Sequence, residues 1–246
     1  TVEDSEKLHK YDGAFYSKMS MNVDGGEAGT GVLNITADNE GLDTELHLTI
    51  NGGTINITSG NDGINTNEDN VSVTTVNGGS VNIQVAGETG EGDGIDSNGW
   101  LVINGGAVTA AACSDSWDAG IDATMGITIN GGTVAASGNM YDQIDGGAQN
   151  YVVFSFASRQ NGGQTYTLQN ADGETVGTWT PANDFTCLVV SSPDLTAGDY
   201  TLWQGDTQLA GTMSDGVGSP GGGRHMGGEA PPADLDPWQA PEGEVP

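Results

Sequence analysis

Short alternations of apolar and polar residues, each about strand length, recur through the first 150 residues and predict strands rather than helices. Between Gly92 and Ala112 three of them follow one another: Gly94-Ile95-Asp96, Leu101-Val102-Ile103 and Val108-Thr109-Ala110. The trio returns with the tripeptide Asn-Gly-Gly, which begins at Asn51, Asn77, Asn104 and Asn130, 26 or 27 residues apart. A fixed period of this size marks solenoids or propellers, and a propeller blade needs about 40 residues and four strands. Three short strands per period predict a parallel β-helix instead.

The pattern also assigns faces, because successive residues of a strand point to opposite sides. Leu48/Ile50, Leu101/Ile103 and Ile127/Ile129 are expected to point inward from the second strand of their coils. Ile55/Ile57, Val81/Ile83, Val108/Ala110 and Val134/Ala136 do so from the third. The first strand contributes Leu42, Ile64, Ile95, Ile121 and Ile144 to the bore, leaving Asp43, Asn65, Asp96, Asp122 and Asp145 as an outward column. Asparagines at one corner of consecutive coils can pass hydrogen bonds from amide to amide, and the glycines after them allow a turn with positive φ.

From about Tyr151 the period disappears. Tyr151–Phe156, Gln164–Gln169, Thr175–Trp179, Thr186–Ser191 and Asp199–Trp203 read as antiparallel strands with turns such as Ala171-Asp172-Gly173. The expected fold is all-β: a right-handed parallel β-helix (solenoid) with a small antiparallel β C-terminal subdomain. Its parts are an N-terminal arm at 1–13, the β-helix at 14–150, a capping subdomain at 151–211 and a Gly/Pro-rich tail at 212–246, in which Pro237-Trp238 is a docking candidate.

Composition narrows the function. Lys and Arg total 5 against 34 Asp and Glu, a net charge of −29, which disfavours nucleic acid and anionic membrane as partners because both need a basic footprint. No run of about 20 apolar residues is present, so no membrane span is expected. The chain opens without Met or a signal peptide and is read as a mature or trimmed secreted protein, extracellular or at the cell surface. Cys113 and Cys187 are the only cysteines, read as two free thiols or as one disulfide.

The acid excess implies bound cations, a halophilic surface or a solvated secreted protein, and the distribution of carboxylates chooses among these. Stacked strands lie about 4.8 Å apart, so column carboxylates repel, and a divalent ion relieves them. Oxygen-only donors favour a hard ion, Ca2+ ahead of Mg2+. Candidate ligands are Asp43, Asp62, Asn65, Asp93, Asp96, Asp118, Asp122 and Asp145, with Asn67-Glu68-Asp69 as a further segment. Asp93 and Asp96 meet one ion only if the chain bends between them, which Gly94 permits. The competing reading is that these residues simply cap turns. Trp100 and Trp117 are candidate platforms for a pyranose ring.

The runs DGINTNEDNVSVTTVNGGSVNI, GDGIDSNGWLVINGGAVTAAA and AGIDATMGITINGGTVAASG closely resemble the calcium-binding parallel β-helix carbohydrate-binding proteins. That family was formerly a domain of unknown function and is similar in shape to pectate lyases. The resemblance covers about residues 14 to 210 and implies Ca2+ on the aspartates of the Asp-Gly-Ile motifs. It also implies a polysaccharide partner, either acidic or cellulose-type. Asn65, Ala119 and Gln143 depart from the motif.

The resulting expectation is a binder rather than an enzyme. One alternative is a structural adhesin or surface-fibre subunit, with homo-assembly through terminal arms or β-helix ends. Another is a polysaccharide lyase or hydrolase. A lyase needs a base beside the metal, and Lys7, Lys10, Lys18, Arg159 and Arg224 all lie outside the Asp column. His9, His47 and His225 are scattered, with no nucleophile pattern.

Overall fold

The computed structural model describes residues 13–209 and the backbone of residues 212–215. The rest of the N-terminal arm and of the tail, with Lys7, Lys10, Arg224, Pro237 and Trp238, lies outside the described residues.

Each coil takes three strands in chain order. The first holds β1 (Gly13–Ser17), β2 (Met21–Val23) and β3 (Val32–Ala37), and the second β4 (Glu40–Thr44), β5 (His47–Ile50) and β6 (Thr54–Ser59). The third holds β7 (Ile64–Thr66), β8 (Val73–Val76) and β9 (Ser80–Val85), and the fourth β10 (Ile95–Ser97), β11 (Trp100–Ile103) and β12 (Ala107–Ala111). In the fifth, the first strand shrinks to a bridge between Ile95 and Ile121, followed by β13 (Gly126–Ile129) and β14 (Thr133–Gly138). β15 (Ile144–Gly146) begins a partial sixth.

Stacking turns equivalent strands into three parallel sheets: β1-β4-β7-β10, β2-β5-β8-β11-β13-β15, and a third running β3-β6-β9-β12-β14. The register is one repeat to one repeat, with Ile55 beside Val81, Val81 beside Val108, and Val108 beside Val134. Aliphatic side chains from all three sheets fill the bore, and Leu42, Leu48, Ile64, Ile95, Leu101, Ile103, Ile127 and Ile129 are completely buried in it.

The corner chemistry matches the expectation. Asn130 Nδ2 donates to Asn104 Oδ1 at 2.8 Å, Asn104 to Asn77 at 2.9 Å, Asn77 to Asn51 at 2.8 Å, and Asn51 to Asp24 at 2.7 Å. The second glycine of each tripeptide (Gly53, Gly79, Gly106, Gly132) has φ between 82° and 88°, a left-handed conformation costly for any residue with a Cβ.

The C-terminal part does more than sit on the stack. β16 (Tyr151–Gln160), β19 (Phe185–Ser191) and β22 (Thr212–Asp215) extend the third sheet antiparallel, in the order β14-β19-β16-β22. β22 lies in the segment read from the sequence as tail. β17 (Tyr166–Asn170), β18 (Thr175–Trp179), β20 (Tyr200–Gln204) and β21 (Thr207–Gln208) form a separate antiparallel sheet. A second core of Phe154, Phe156, Tyr166, Leu168, Phe185, Leu188 and Leu202 joins this sheet to the extension. Cys113 and Cys187 are both buried and both free thiols.

Candidate functional site

The corner before and within the first sheet carries the acids. Four glycines there, Gly41, Gly63, Gly94 and Gly120, fit where a Cβ does not. A methyl on Gly94 would lie 2.3 Å from the Gly120 carbonyl oxygen and 2.8 Å from Ala110 Cβ, and one on Gly63 would lie 2.2 Å from Ile83 Cγ2. The corner therefore packs closely against the third sheet, and the acids beside Gly41 and Gly94 are brought near those of neighbouring coils. The backbone groups of the corner are spent on the ladder: Gly63 N donates to Asp93 O and Gly94 N to Ala119 O, both at 3.1 Å. What remains for a ligand is carboxylate oxygen.

Asp93, Asp96 and Asp122 each place one carboxylate oxygen within 4.8 Å of the others. Two come from one coil on either side of Gly94, so the bend required by the sequence reading is present, and the third comes from the coil above. Asp62 is drawn into the same field; its Oδ1 accepts from the Asp93 N–H at 2.7 Å. Asp93 Oδ1 in turn accepts from the Ala119 N–H at 2.6 Å. Burial, reinforced by Asp122, Asp96 and Asp62, pushes the Asp93 carboxyl up to about 9. Burial, then the charges of Asp62, Asp122 and Asp118, pushes Asp96 up to about 8. For Asp62 burial dominates and the value is about 6. Without a compensating positive charge Asp93 and Asp96 hold protons at neutral pH, whereas Asp62 is mostly ionised there.

Asn65, one coil below Asp96, and Glu40 and Asp43, two coils below, form a continuation. Asp43, Asn65 and Asp96 are direct neighbours across the strands, as the column predicts, but Asp43 and Asn65 are covered, at 2% and 8% exposure. Asn65 Nδ2 donates to Glu40 Oε1 at 3.1 Å and Asn67 Nδ2 to Asp43 Oδ1 at 2.6 Å. Burial lifts Glu40 to about 8 and raises Asp43 as well, and protonated Glu40 shares a hydrogen bond with Asp43. Asn65 Oδ1 is buried without a hydrogen-bond partner. Glu40 was not among the ligands expected from the sequence, although Glu40-Gly41-Leu42-Asp43 repeats the acid-Gly-aliphatic-Asp pattern of Asp93-Gly94-Ile95-Asp96. Of the Asn67-Glu68-Asp69 segment only Asn67 turns toward the acids; Glu68 and Asp69 are exposed.

Two expected ligands serve as backbone caps. Asp118 Oδ2 accepts from the Gly92 N–H at 2.7 Å and from the Ser116 hydroxyl. Asp145 is a correction. It belongs to β15, which pairs with β13 in the second sheet, and its exposed carboxylate accepts the Ile127 N–H at 3.0 Å. Met140, bridged to Ala119, has already occupied the first-sheet corner, and the column ends at Asp122.

The two tryptophans part company. Trp117 is 75% exposed, on the loop leading to Asp118, and rims a concavity of about 310 Å³ shared with Met140, Tyr141, Phe156 and Cys187. Asn139 Nδ2 holds that loop through the Ser114 and Ser116 carbonyls at 2.8 and 2.7 Å, and Arg159 pairs with Asp115 at 3.1 Å. Trp100, expected outside as a second platform, is only 6% exposed and offers no ring to a sugar. It opens β11, with Val73 and Gly126 as its register partners. Alternation fixes the direction in which a side chain leaves a strand, not what covers it.

The donors present fit a hard divalent cation: they are all oxygen, three lie within 4.8 Å of one another, and an orphaned amide oxygen lies in the adjoining coil. Fold and site together define a β-solenoid with an acidic corner and a neighbouring aromatic rim. The family model for carbohydrate-binding domain-containing proteins matches residues 1–176 of the 246, and the chain belongs to that family. Comparisons with curated proteins and with solved structures each gave no match.

Proposed function

We propose that the protein binds acidic polysaccharide outside the cell, without turning it over, through Ca2+ held by Asp93, Asp96 and Asp122. The convergence of these three carboxylates carries the reading. Ca2+ takes six to eight oxygens, so three aspartates leave positions for a uronate carboxylate and sugar hydroxyls. Asp62 supports the set by accepting the Asp93 N–H, and Glu40, Asp43 and Asn65 are the candidate ligands of a second ion. Trp117, one residue before Asp118, supplies a ring face for a pyranose. A lyase reading gains no support from the charges around the site: among the described residues the strongest charges acting on Asp93 and Asp96 are other aspartates, not a Lys or Arg base.

The test is titration calorimetry with oligogalacturonate. Binding is expected with Ca2+, absent in chelator, and lost in Asp96→Ala and Asp122→Ala. Trp117→Ala is expected to weaken it by about tenfold, the scale of one aromatic contact. Undiminished binding in chelator would sink the reading, and release of unsaturated uronide, seen by ultraviolet absorbance, would replace it with catalysis.

A further inference from the structure

The outer face of the third sheet carries chemistry that the acidic corner does not use. Asn34, Asn56 and Asn82 are consecutive register partners in β3, β6 and β9, and Thr36, Thr58 and Gln84 form a parallel row two residues on. Asn56 Nδ2 donates to Asn34 Oδ1 at 2.8 Å and Asn82 Nδ2 to Asn56 Oδ1 at 2.9 Å. Asn56, in the middle, thus keeps a second N–H and a second lone pair for a ligand, while Asn82 Nδ2 also donates to Ser80 Oγ at 3.2 Å.

This face is walled. Residues 180–184, between β18 and β19, lie along it, pinned by Asn183, whose Nδ2 donates to Val85 O at 2.6 Å and Ala112 O at 2.8 Å. Gln84 Nε2 donates to Asn183 Oδ1 at 3.0 Å. With Thr109, Thr180 and Ala182 the wall encloses a groove of about 450 Å³, lined by no charged and no aromatic side chain.

We propose that this groove is a second carbohydrate site, independent of metal, for a single strand of neutral, extended glycan lying across the strands. Three features select that ligand. An uncharged lining offers nothing to a uronate or phosphate, whereas amides and hydroxyls match sugar hydroxyls in both donor and acceptor roles. Polar partners recur every 4.8 Å or so along the axis, suiting a polymer whose hydroxyls also recur along a straight line. The wall makes the surface a trough, which admits one chain and excludes the flat face of a crystalline lattice. This site goes beyond the calcium reading and does not depend on it.

The experiment is calorimetry of the full chain in chelator, with cello-oligosaccharide as the straight β-linked probe and malto-oligosaccharide as the curved α-linked one. Affinity for the first and none for the second is expected. Thr58→Arg and Ala182→Trp, both outside the amide ladder, are expected to lower that affinity at least about tenfold, equivalent to one or two neutral hydrogen bonds. Their urea midpoints report whether the fold is kept. Trp117→Ala and Asp96→Ala are expected to leave it unchanged. The proposal is overturned if cello-oligosaccharide is not bound in chelator, if both groove variants bind it as the parent does, or if Trp117→Ala abolishes binding. Oligogalacturonate binding with Ca2+ is read separately, so either site can fail alone.

Discussion

Asn104 shows how much one corner residue contributes. Its amide donates to Asn77 and accepts from Asn130, so Asn104→Ala removes two side-chain hydrogen bonds at once. The position is exposed, which lets water take over the orphaned partners. The expected loss is about 1–3 kcal/mol, read as a lowered urea midpoint with unchanged slope. This corner was legible because the same letters at a spacing of 26 or 27 must coincide in space once strands stack in register. Trp100 was not legible for the converse reason. Its direction is a local property, but its cover comes from parts of the chain that no alternation describes. Trp117, on a loop outside the pattern, stays exposed.

At the level of the element, the acidic corner makes the first sheet a source of instability that the proposed cation would relieve. Asp62, Asp93, Asp96 and Glu40 all have pKa values raised above their ordinary ones, chiefly by burial. The folded chain therefore binds more protons than the unfolded chain, and stability falls as pH climbs from the ordinary aspartate value of 3.8 through about 6 for Asp62 to about 9 for Asp93. In chelator the melting temperature is expected to drop between about pH 5 and about pH 9. Added Ca2+ should raise it more at the alkaline end. A flat profile in chelator would mean that the acids are solvated in the free protein. The motif Asp142-Gln143-Ile144-Asp145 imitates the repeat yet misleads, because register is set by the strand below. Ala119 bridges Met140, so Ile144 arrives one sheet too late. Asp142 is buried and caps the Ala123 N–H at 3.1 Å.

Across the whole molecule, the C-terminal strands solve the problem of where a stack stops. An open parallel edge at β14 would present unpaired backbone to any other chain. β19 covers it antiparallel, with Val134 against Ser191 and Ala136 against Val189. Truncation after residue 150 is expected to convert the protein to oligomers or aggregate, measurable by light scattering on a sizing column; a stable monomer would show that the edge protects itself. The strands β16 to β20 were readable one at a time, but β21, β22 and the joining of β16, β19 and β22 to the third sheet were not, since antiparallel partners follow no period. The repeated coils have a different consequence, which concerns descent rather than stability. Each carries its own corner amide and its own aliphatic rows, and residues 26 positions apart are bonded neighbours at the Asn77 and Asn130 corners. An in-frame genetic duplication of one such unit inserts without disturbing the partners of either terminus. Rod length is then heritable in increments of about 4.8 Å, and a lineage can change its reach while keeping its chemistry.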